Sequence, residues 1–223
     1  MTTYHCKQCQ QPFEADEPIH VLGVTLQPNV CAPCSQPESM DALILARRLE
    51  RFQALCPPTY QETDPNRLDR AKLDEVLAWP FGARGLVLFG PTRRGKTRSA
   101  WLLVKRLMLE GHPVTALTAG EFARQCAEAY GQSPEAGAAF FRNMTRCALL
   151  FIDDFGKFKV TERVEAELFD IIEHRTSHDL PILITTNGTR ATFAKAFSAE
   201  RAEPIFERLR EFCTFINFSP ANP

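Results

Sequence analysis

Eight residues from Gly90 to Thr97 constrain this chain more than any other part of its sequence. They fit the pattern G-x-x-x-x-G-K-[ST] and lie between an apolar run at 86–89 and a helical pattern at 96–110. Glycine lets successive N–H groups point inward at phosphate oxygens, and the helix that follows adds its positive N-terminal end. The segment therefore predicts a triphosphate site, here for ATP, built from the following residues: Gly90, Pro91, Thr92, Arg93, Arg94, Gly95, Lys96 and Thr97.

Within this loop, Lys96 is expected to bridge the terminal phosphates, and Thr97 to offer its hydroxyl to Mg²⁺. Such a site needs an acidic partner at the end of another buried strand. Asp153 and Asp154 directly follow the apolar residues 148–152, where unpaired carboxylates would be costly unless a cation meets them. We assign Asp153 to Mg²⁺ through water and Asp154 to the attacking water; the alternative for Asp154 is a cap on the next turn.

A third apolar run ends in small polar side chains. Residues 182–185 are followed by Thr186, Asn187 and Gly188, near the predicted position of a γ-phosphate. Asn187 is a candidate for positioning the attacking water. The alternative is a polar residue in a turn that ends a strand.

The apolar runs alternate with helical patterns over most of the chain. Strands that are apolar throughout, each followed by a crossover helix, predict an α/β fold with a parallel sheet covered on both faces. The predicted strands are 86–89, 114–117, 147–152, 182–185 and 212–218. The predicted helices are 96–110, 121–130, 134–145, 162–176, 191–197 and 203–210.

Four cysteines near the N-terminus form two C-x-x-C pairs separated by 21 residues: Cys6, Cys9, Cys31 and Cys34. This spacing predicts a single tetrahedral zinc site, and one strand-like run, 19–24, lies between the pairs. His5 is an alternative ligand, and a redox dithiol is the alternative for each pair. The other four cysteines stand among apolar neighbours and are expected to be small buried hydrophobes.

Composition limits the class of protein. The 223 residues carry a net charge of −1, with 44% hydrophobic and 24% charged residues, so a basic nucleic-acid wrapper is excluded. No run reaches the roughly 18 apolar residues of a membrane span, and we expect a cytoplasmic protein without a membrane partner. We expect three regions: a zinc module at 1–38, a helical linker at 39–80 with helices at 40–55 and 65–79, and a nucleotide-binding domain at 81–223.

The chain from Gly85 to Phe218 resembles the AAA+ ATPases of the helicase-loader group, which includes the loader DnaC and the transposition helper IstB. The motifs that carry the resemblance are the phosphate loop, residues 151–157, residues 184–187 and residues 206–210. The resemblance implies that Asn187 is the sensor 1 residue and that Arg208 is an arginine finger for a neighbouring subunit in an ATP-bound homo-oligomer. Arg210 is the alternative finger, and residues 121–145 match the extra helix of the initiator and loader branch.

The sequence departs from the wider AAA+ pattern in two ways. Asp154 stands where most members have glutamate, which implies slow hydrolysis, and no C-terminal helical lid is expected after the last strand. The resemblance implies an ATPase that loads a replicative ring helicase onto single-stranded DNA, with the N-terminal module docking onto the helicase. The alternatives for that module are binding to nucleic acid and bracing of the ATPase. The basic and aromatic side chains of Lys157, Phe158 and Lys159 are expected to contact the single strand by charge and stacking. The alternatives are a transposition ATPase on duplex DNA, a zinc-containing thymidine kinase and a nucleotide-gated adaptor.

Overall fold

The computed structural model of the protein describes residues 2–15, 19–21, 24–26, 28–34, 37–82, 84–156, 161–188 and 197–220. They form two compact units, Met1–Glu50 and Arg51–Pro223, and the boundary falls within one long helix. The division predicted at residues 38 and 80 stays a prediction. Within these described ranges, no helix is both long enough and apolar enough to cross a membrane.

The first unit contains two small antiparallel hairpins and most of that long helix. Strand β1 (Thr2–His5) pairs with β2 (Pro12–Ala15), β3 (Ile19–Val21) pairs with β4 (Val24–Leu26), and α1 spans Pro37–Leu55. The sequence predicts one strand at 19–24, whereas the structure divides this region into the two strands of a hairpin. Pairing within a hairpin lets a segment that has little apolar material satisfy its backbone hydrogen bonds locally.

A five-stranded parallel sheet forms the centre of the second unit. Its strands in chain order are β5 (Gly85–Phe89), β6 (Val114–Thr118), β7 (Leu149–Asp153), β8 (Ile182–Thr186) and β9 (Cys213–Asn217). Their order in the sheet is β6-β7-β8-β5-β9. Strands β7 and β8 are buried along their whole length, as expected where helices cover both faces. Because β7, β8 and β5 are parallel neighbours, their carboxyl ends lie together at one edge of the sheet, which we call the carboxyl edge.

Several helices of the second unit begin after a side chain that satisfies a free backbone N–H group. Thr118, Ser133 and Thr161 each accept a hydrogen bond from an N–H group in the first turn of the helix they precede. The helices are α2 (Pro58–Gln61), α3 (Arg70–Leu77), α4 (Lys96–Glu110), α5 (Ala119–Gln132), α6 (Pro134–Arg146), α7 (Glu162–Ser177) and α8 (Ala199–Phe212). The α/β fold with a parallel sheet is therefore confirmed.

Of the predicted helices, one is divided into two in the structure and another lies almost entirely outside the described residues. The helix expected at 65–79 is divided into a 3₁₀ turn, Pro65–Arg67, and α3, because Leu68 is extended and Asp69 caps a new helix. The Asp69 carboxylate accepts a hydrogen bond from Lys72 N at 3.2 Å. The helix predicted at 191–197 lies outside the described residues, apart from Phe197.

Candidate functional site

The phosphate loop joins β5 to α4, and its glycines occupy positions that a side chain would disturb. Gly90 has φ of 130°, and a Cβ there would lie 3.0 Å from the backbone N of Ser219. Gly95 has φ of 90° and caps α4, and a Cβ there would lie 3.1 Å from a methyl group of Leu68. Both residues adopt the left-handed region that favours glycine. The loop therefore turns directly into the N-terminus of α4.

Lys96 is only 5% exposed and lies under this loop. Its Nζ donates hydrogen bonds to Gly90 O at 2.9 Å, to Pro91 O at 2.6 Å and to Asn187 Oδ1 at 2.6 Å. The ammonium group is thus fixed between the loop and the end of β8. A cation in this position can meet the terminal phosphates of a nucleotide seated on the loop amides.

Asp153 ends β7 and faces the first turn of α4. Its Oδ1 accepts hydrogen bonds from Thr97 Oγ1, at 2.9 Å, and from the Thr185 hydroxyl. Burial raises the pKa of Asp153 above its ordinary value, although the two hydroxyls oppose that shift. A carboxylate and a threonine hydroxyl are oxygen ligands of the kind that Mg²⁺ prefers, so this pair fits the predicted metal position.

Asn187 connects the second carboxylate to the phosphate loop. Its Nδ2 donates to Asp154 Oδ1 at 2.9 Å, while its Oδ1 accepts from Lys96. Asp154 has a left-handed backbone with φ of 59°, which aspartate tolerates better than most residues. Its N–H donates to Thr185 Oγ1 at 3.0 Å. Lys96, Thr97, Asp153, Asp154 and Asn187 therefore form one hydrogen-bonded group at the carboxyl edge.

Thr185 was not singled out as a site residue from the sequence, yet its hydroxyl contacts both acidic residues. It donates to the Asp153 carboxylate and accepts from the N–H of Asp154. The signal that could have found it is its position on β8, the strand that neighbours β7. We infer that it fixes the orientation of the acidic pair.

A cavity of about 990 Å³ opens over the phosphate loop. One wall comes from the loop with Asp154 and Asn187, and another from Phe218, Ser219 and Pro220. The third wall lies in the segment 60–72, which was not predicted to contribute to the site. That wall is formed by Tyr60, Glu62, Thr63, Asp64, Arg67, Leu68, Asp69, Ala71 and Lys72. The cavity therefore has room beyond the phosphates for the rest of a nucleotide.

Arg208 does not join this group of residues. It lies on α8 and forms an ion pair with Glu173 of α7, while Arg210 pairs with Glu207. Helix α8 leads directly into the start of β9, which pairs with the start of β5 at Gly85. In a parallel sheet this edge is opposite the phosphate loop, so Arg208 lies away from the nucleotide position of its own subunit. Lys157, Phe158 and Lys159 lie outside the described residues.

The four N-terminal cysteines converge in the first unit. Their sulfur atoms all lie within 4.8 Å of one another, and the Sγ atoms of Cys9 and Cys31 are 3.7 Å apart. A zinc tetrahedron with bonds of about 2.3 Å has sulfur–sulfur edges of about 3.8 Å, so the cluster fits this ion. The N–H groups of Cys9 and Cys31 lower the pKa of the Cys6 thiol to about 6, whereas the side chains of Cys31 and Cys9 raise the pKa of the Cys34 thiol to about 12. His5 is exposed and is not among the grouped ligands.

Fold and site together define an ATP-binding protein of the AAA+ class. The chain belongs to the family described as IstB-like ATP binding protein, which matches residues 53–220. A curated relative from Mycobacterium tuberculosis, described as an ATP-binding protein in an insertion sequence, is 25% identical over 175 residues. That match covers 76% of this chain and 69% of the relative.

Solved structures share the fold at low sequence identity. The DnaC helicase loader aligns with a TM-score of 0.55 and 17% identity, covering 75% of this chain and 98% of that one. DnaI aligns with a TM-score of 0.53 and 18% identity, covering 84% of this chain and 89% of the DnaI chain. DnaA from Aquifex aeolicus, bound to AMPPCP, aligns with a TM-score of 0.56 and 18% identity, covering 72% of this chain. This chain spans about half the length of that DnaA chain, 50%.

Proposed function

We propose that this protein hydrolyses ATP at a site completed by a second copy of the chain. We further propose that it uses this reaction in the cytoplasm to load a replicative ring helicase onto single-stranded DNA. The observation that carries the first proposal is the separation between two parts of the machinery. Five polar residues meet at the carboxyl edge, whereas Arg208 pairs with Glu173 near the opposite end of the strands. This separation supports a role for Arg208 as an arginine finger that contacts ATP bound to a neighbouring subunit.

Each residue at the carboxyl edge has a proposed part in hydrolysis. Lys96 binds the terminal phosphates, while Thr97 and Asp153 would hold Mg²⁺, which would neutralise charge on the phosphate oxygens when bound. Asp154 accepts a proton from the attacking water, and Asn187 orients that water. The hydrogen bond from Asn187 to Asp154 supports this pairing, because the carboxylate and amide would face the same water.

Support for a helicase partner comes from the resemblance to the loader group and from the N-terminal module. The DnaC helicase loader shares the fold over nearly its whole length. In loaders the N-terminal region docks onto the helicase, and here that region carries a cluster of four cysteines suited to zinc. We therefore assign the zinc module to a protein partner rather than to nucleic acid or to bracing of the ATPase.

A second candidate is a transposition ATPase that assembles on duplex DNA. The family match and the relative described as belonging to an insertion sequence favour it. The two candidates share the ATP site and differ in the nucleic acid that stimulates it. Whether single-stranded or duplex DNA stimulates hydrolysis therefore distinguishes the two candidates.

The test is ATP hydrolysis measured over a range of protein concentrations with no DNA, with single strands and with duplex. A loader is expected to respond to single strands and to co-purify with a ring helicase, whereas a transposition ATPase responds to duplex. Stimulation by thymidine would instead indicate a nucleoside kinase, and indifference to any nucleic acid would indicate an adaptor.

Arg208→Ala tests the intersubunit site directly. This variant is expected to bind ATP normally and to lose hydrolysis by a factor of about 10³ or more in the assembled state. Arg210→Ala is the matched control on the same helix and is expected to retain hydrolysis. Unchanged hydrolysis by Arg208→Ala would refute its assignment as the finger, and loss only in Arg210→Ala would transfer the role to that residue.

A further inference from the structure

The third wall of the cavity, in the segment 60–72, has little stable structure of its own. It begins in the four-residue helix α2 and continues through the 3₁₀ turn Pro65–Arg67. Both elements are fully described, and neither contains a buried residue. Helices this short are not stable alone, so contacts with the rest of the unit must set the position of this wall.

Arg98, in the first turn of α4, donates hydrogen bonds at the start of this wall. Its Nη1 lies 3.2 Å from Thr59 O and 3.3 Å from Thr63 Oγ1. Thr63 is 8% exposed, and its hydroxyl donates in turn to Tyr60 O at 2.9 Å. One guanidinium therefore fixes both ends of the turn at 59–63.

The Tyr60 ring connects the same wall to the sheet. The Arg98 guanidinium lies 5.5 Å from the centroid of this ring, and the Trp101 ring is stacked on it with centroids 6.5 Å apart. Trp101 is 5% exposed and contacts Phe151 of β7, with ring centroids 5.2 Å apart. Attraction between the cation and the ring adds to the hydrogen bonds of Arg98. The wall is therefore attached to α4 and, through Trp101, to the strand that ends at Asp153.

The phosphate-binding residues and this attachment share one helical turn. Arg98 directly follows Thr97, whose hydroxyl contacts Asp153, and Lys96, which contacts the phosphate loop. The loop and the third wall line the same cavity. A shift of the wall away from α4 would leave the phosphate positions intact but would change the space for the ribose and base.

We propose that Arg98 is a positioning residue for the nucleoside part of ATP. It holds the third wall against α4 through Thr59, Thr63 and Tyr60, and the wall in turn contacts the ribose and base. The guanidinium acts through the wall and not on the phosphates. The proposal rests on ATP binding at the phosphate loop, and it is independent of hydrolysis, of Arg208 and of the helicase and DNA partners.

The test compares Arg98→Ala with the wild-type protein in affinity for ATP and for inorganic tripolyphosphate. Tripolyphosphate fills the phosphate positions but has no nucleoside, so it reports on the loop alone. The ATP affinity of Arg98→Ala is expected to fall about 10-fold more than its tripolyphosphate affinity, the lower end of what hydrogen bonds to a charged group supply. The ratio of the two losses is the readout, because removal of a positive charge weakens both ligands alike.

Arg106→Ala is the matched control on the same helix. Arg106 also donates to backbone carbonyls of the preceding segment, to Leu77 O and, at 3.3 Å, to Trp79 O. These contacts lie toward the end of α4 that is away from the phosphate loop. Arg106→Ala is expected to lower the melting temperature and to leave the ratio of ATP to tripolyphosphate affinity unchanged. A general loss of stability would therefore not reproduce the result expected for Arg98→Ala.

Thr63→Val gives the same information if Arg98→Ala folds poorly. Valine keeps the branched shape but removes the hydroxyl between Arg98 and Tyr60 O. A selective loss of ATP affinity of about 3- to 10-fold is expected. The double variant should lose no more than Arg98→Ala, because both substitutions break the same contact. Additive losses would contradict this shared contact.

Three other results would overturn the proposal. Equal losses of ATP and tripolyphosphate affinity in Arg98→Ala would place its guanidinium on the phosphates. Unchanged ATP affinity would mean that the wall is held without this residue. A similar change of the ratio in Arg106→Ala would reduce the effect to general stability. All of these measurements concern binding, so their outcome is separate from the hydrolysis and DNA stimulation that test the proposed function.

Discussion

Asp153 combines a structural cost with a proposed role at the metal. It is 9% exposed, and burial raises its pKa from the ordinary value of 3.8. The folded protein therefore holds this proton more tightly than the unfolded chain does. The ionised carboxylate lowers stability as pH rises above the ordinary pKa, and the full cost is reached above the raised pKa.

Asp153→Asn is expected to raise the free energy of unfolding of the nucleotide-free protein at pH 7. The amide carries no charge, and its oxygen can still accept from Thr97 and Thr185. The advantage should shrink as pH falls through the raised pKa and should vanish below the ordinary pKa of 3.8, where the carboxyl group is protonated in both states. Urea denaturation of both proteins over this pH range measures the difference between their free energies of unfolding. A variant that is less stable than the wild-type protein at pH 7 would refute the explanation.

Asp154 and Asn187 are expected to act in hydrolysis rather than in binding. Asp154→Asn keeps a residue that tolerates the left-handed backbone but removes the proton acceptor. Single-turnover hydrolysis is expected to fall about 10²- to 10⁴-fold, the usual contribution of a general base. ATP affinity should stay within about threefold of wild type. A large loss of affinity with little change in the hydrolysis step would assign Asp154 to binding instead.

Among single residues, the sequence best predicts which side chains come together where a residue type has one chemical use. The loop glycines, Lys96, Thr97 and the acidic pair follow from the pattern and from the position of carboxylates after a buried strand. The bridging by Thr185 and the cavity wall at Tyr60 could not be predicted. Both depend on neighbours distant in sequence: Thr185 contacts Asp153, 32 positions away, and Tyr60 is 36 positions before Lys96 along the same cavity.

Among the elements, α7 holds α8 at two points. Glu165, which is 5% exposed, accepts hydrogen bonds from Ser198 N at 2.8 Å and Ser198 Oγ at 2.6 Å. Its carboxylate therefore caps the N-terminus of α8, where negative charge is favourable. Ten residues further along α8, Arg208 pairs with Glu173. The proposed finger is thus attached to α7 through both ends of its helix.

Glu165→Ala is expected to destabilise the protein by about 1.5 to 3 kcal/mol, the usual loss for hydrogen bonds to a charged group. Ser198→Ala is the matched control, since it removes only the hydroxyl donor and should cost about 1 kcal/mol. Urea denaturation without nucleotide compares the two variants. Equal losses would mean that the carboxylate does not cap the helix.

The elements also show where sequence patterns succeed and where they fail. Continuous apolar runs identified all five strands of the sheet. The signal is clearest for β5, β7 and β8, because strands covered on both faces have no polar side to obscure it. The prediction of one helix at 65–79 was wrong at Leu68, where the backbone is extended. Asp64 caps the 3₁₀ turn before this residue, and Asp69 caps α3 after it. The hairpin β3–β4 was missed because the short run at 19–24 was interpreted as one continuous strand.

In the whole molecule, the cysteine cluster and the ATP site belong to different compact units. Purified protein is expected to contain about one zinc ion per chain, and Cys31→Ser should lose most of it. Hydrogen exchange should become faster in residues 2–34 of this variant, while ATP affinity stays unchanged. Cys147→Ser, outside the cluster, is the control and should retain zinc. Full zinc content in Cys31→Ser would contradict the assignment of the four ligands.

The central claim, that two copies of the chain share one ATPase site, has a direct test in mixed assemblies. Arg208→Ala and Asp154→Asn should each be inactive alone, since one lacks the finger and the other the proton acceptor. An equimolar mixture should recover about a quarter of the wild-type rate, because random assembly joins the two intact halves at one interface in four. A mixture that assembles but stays as inactive as its parents would contradict the claim.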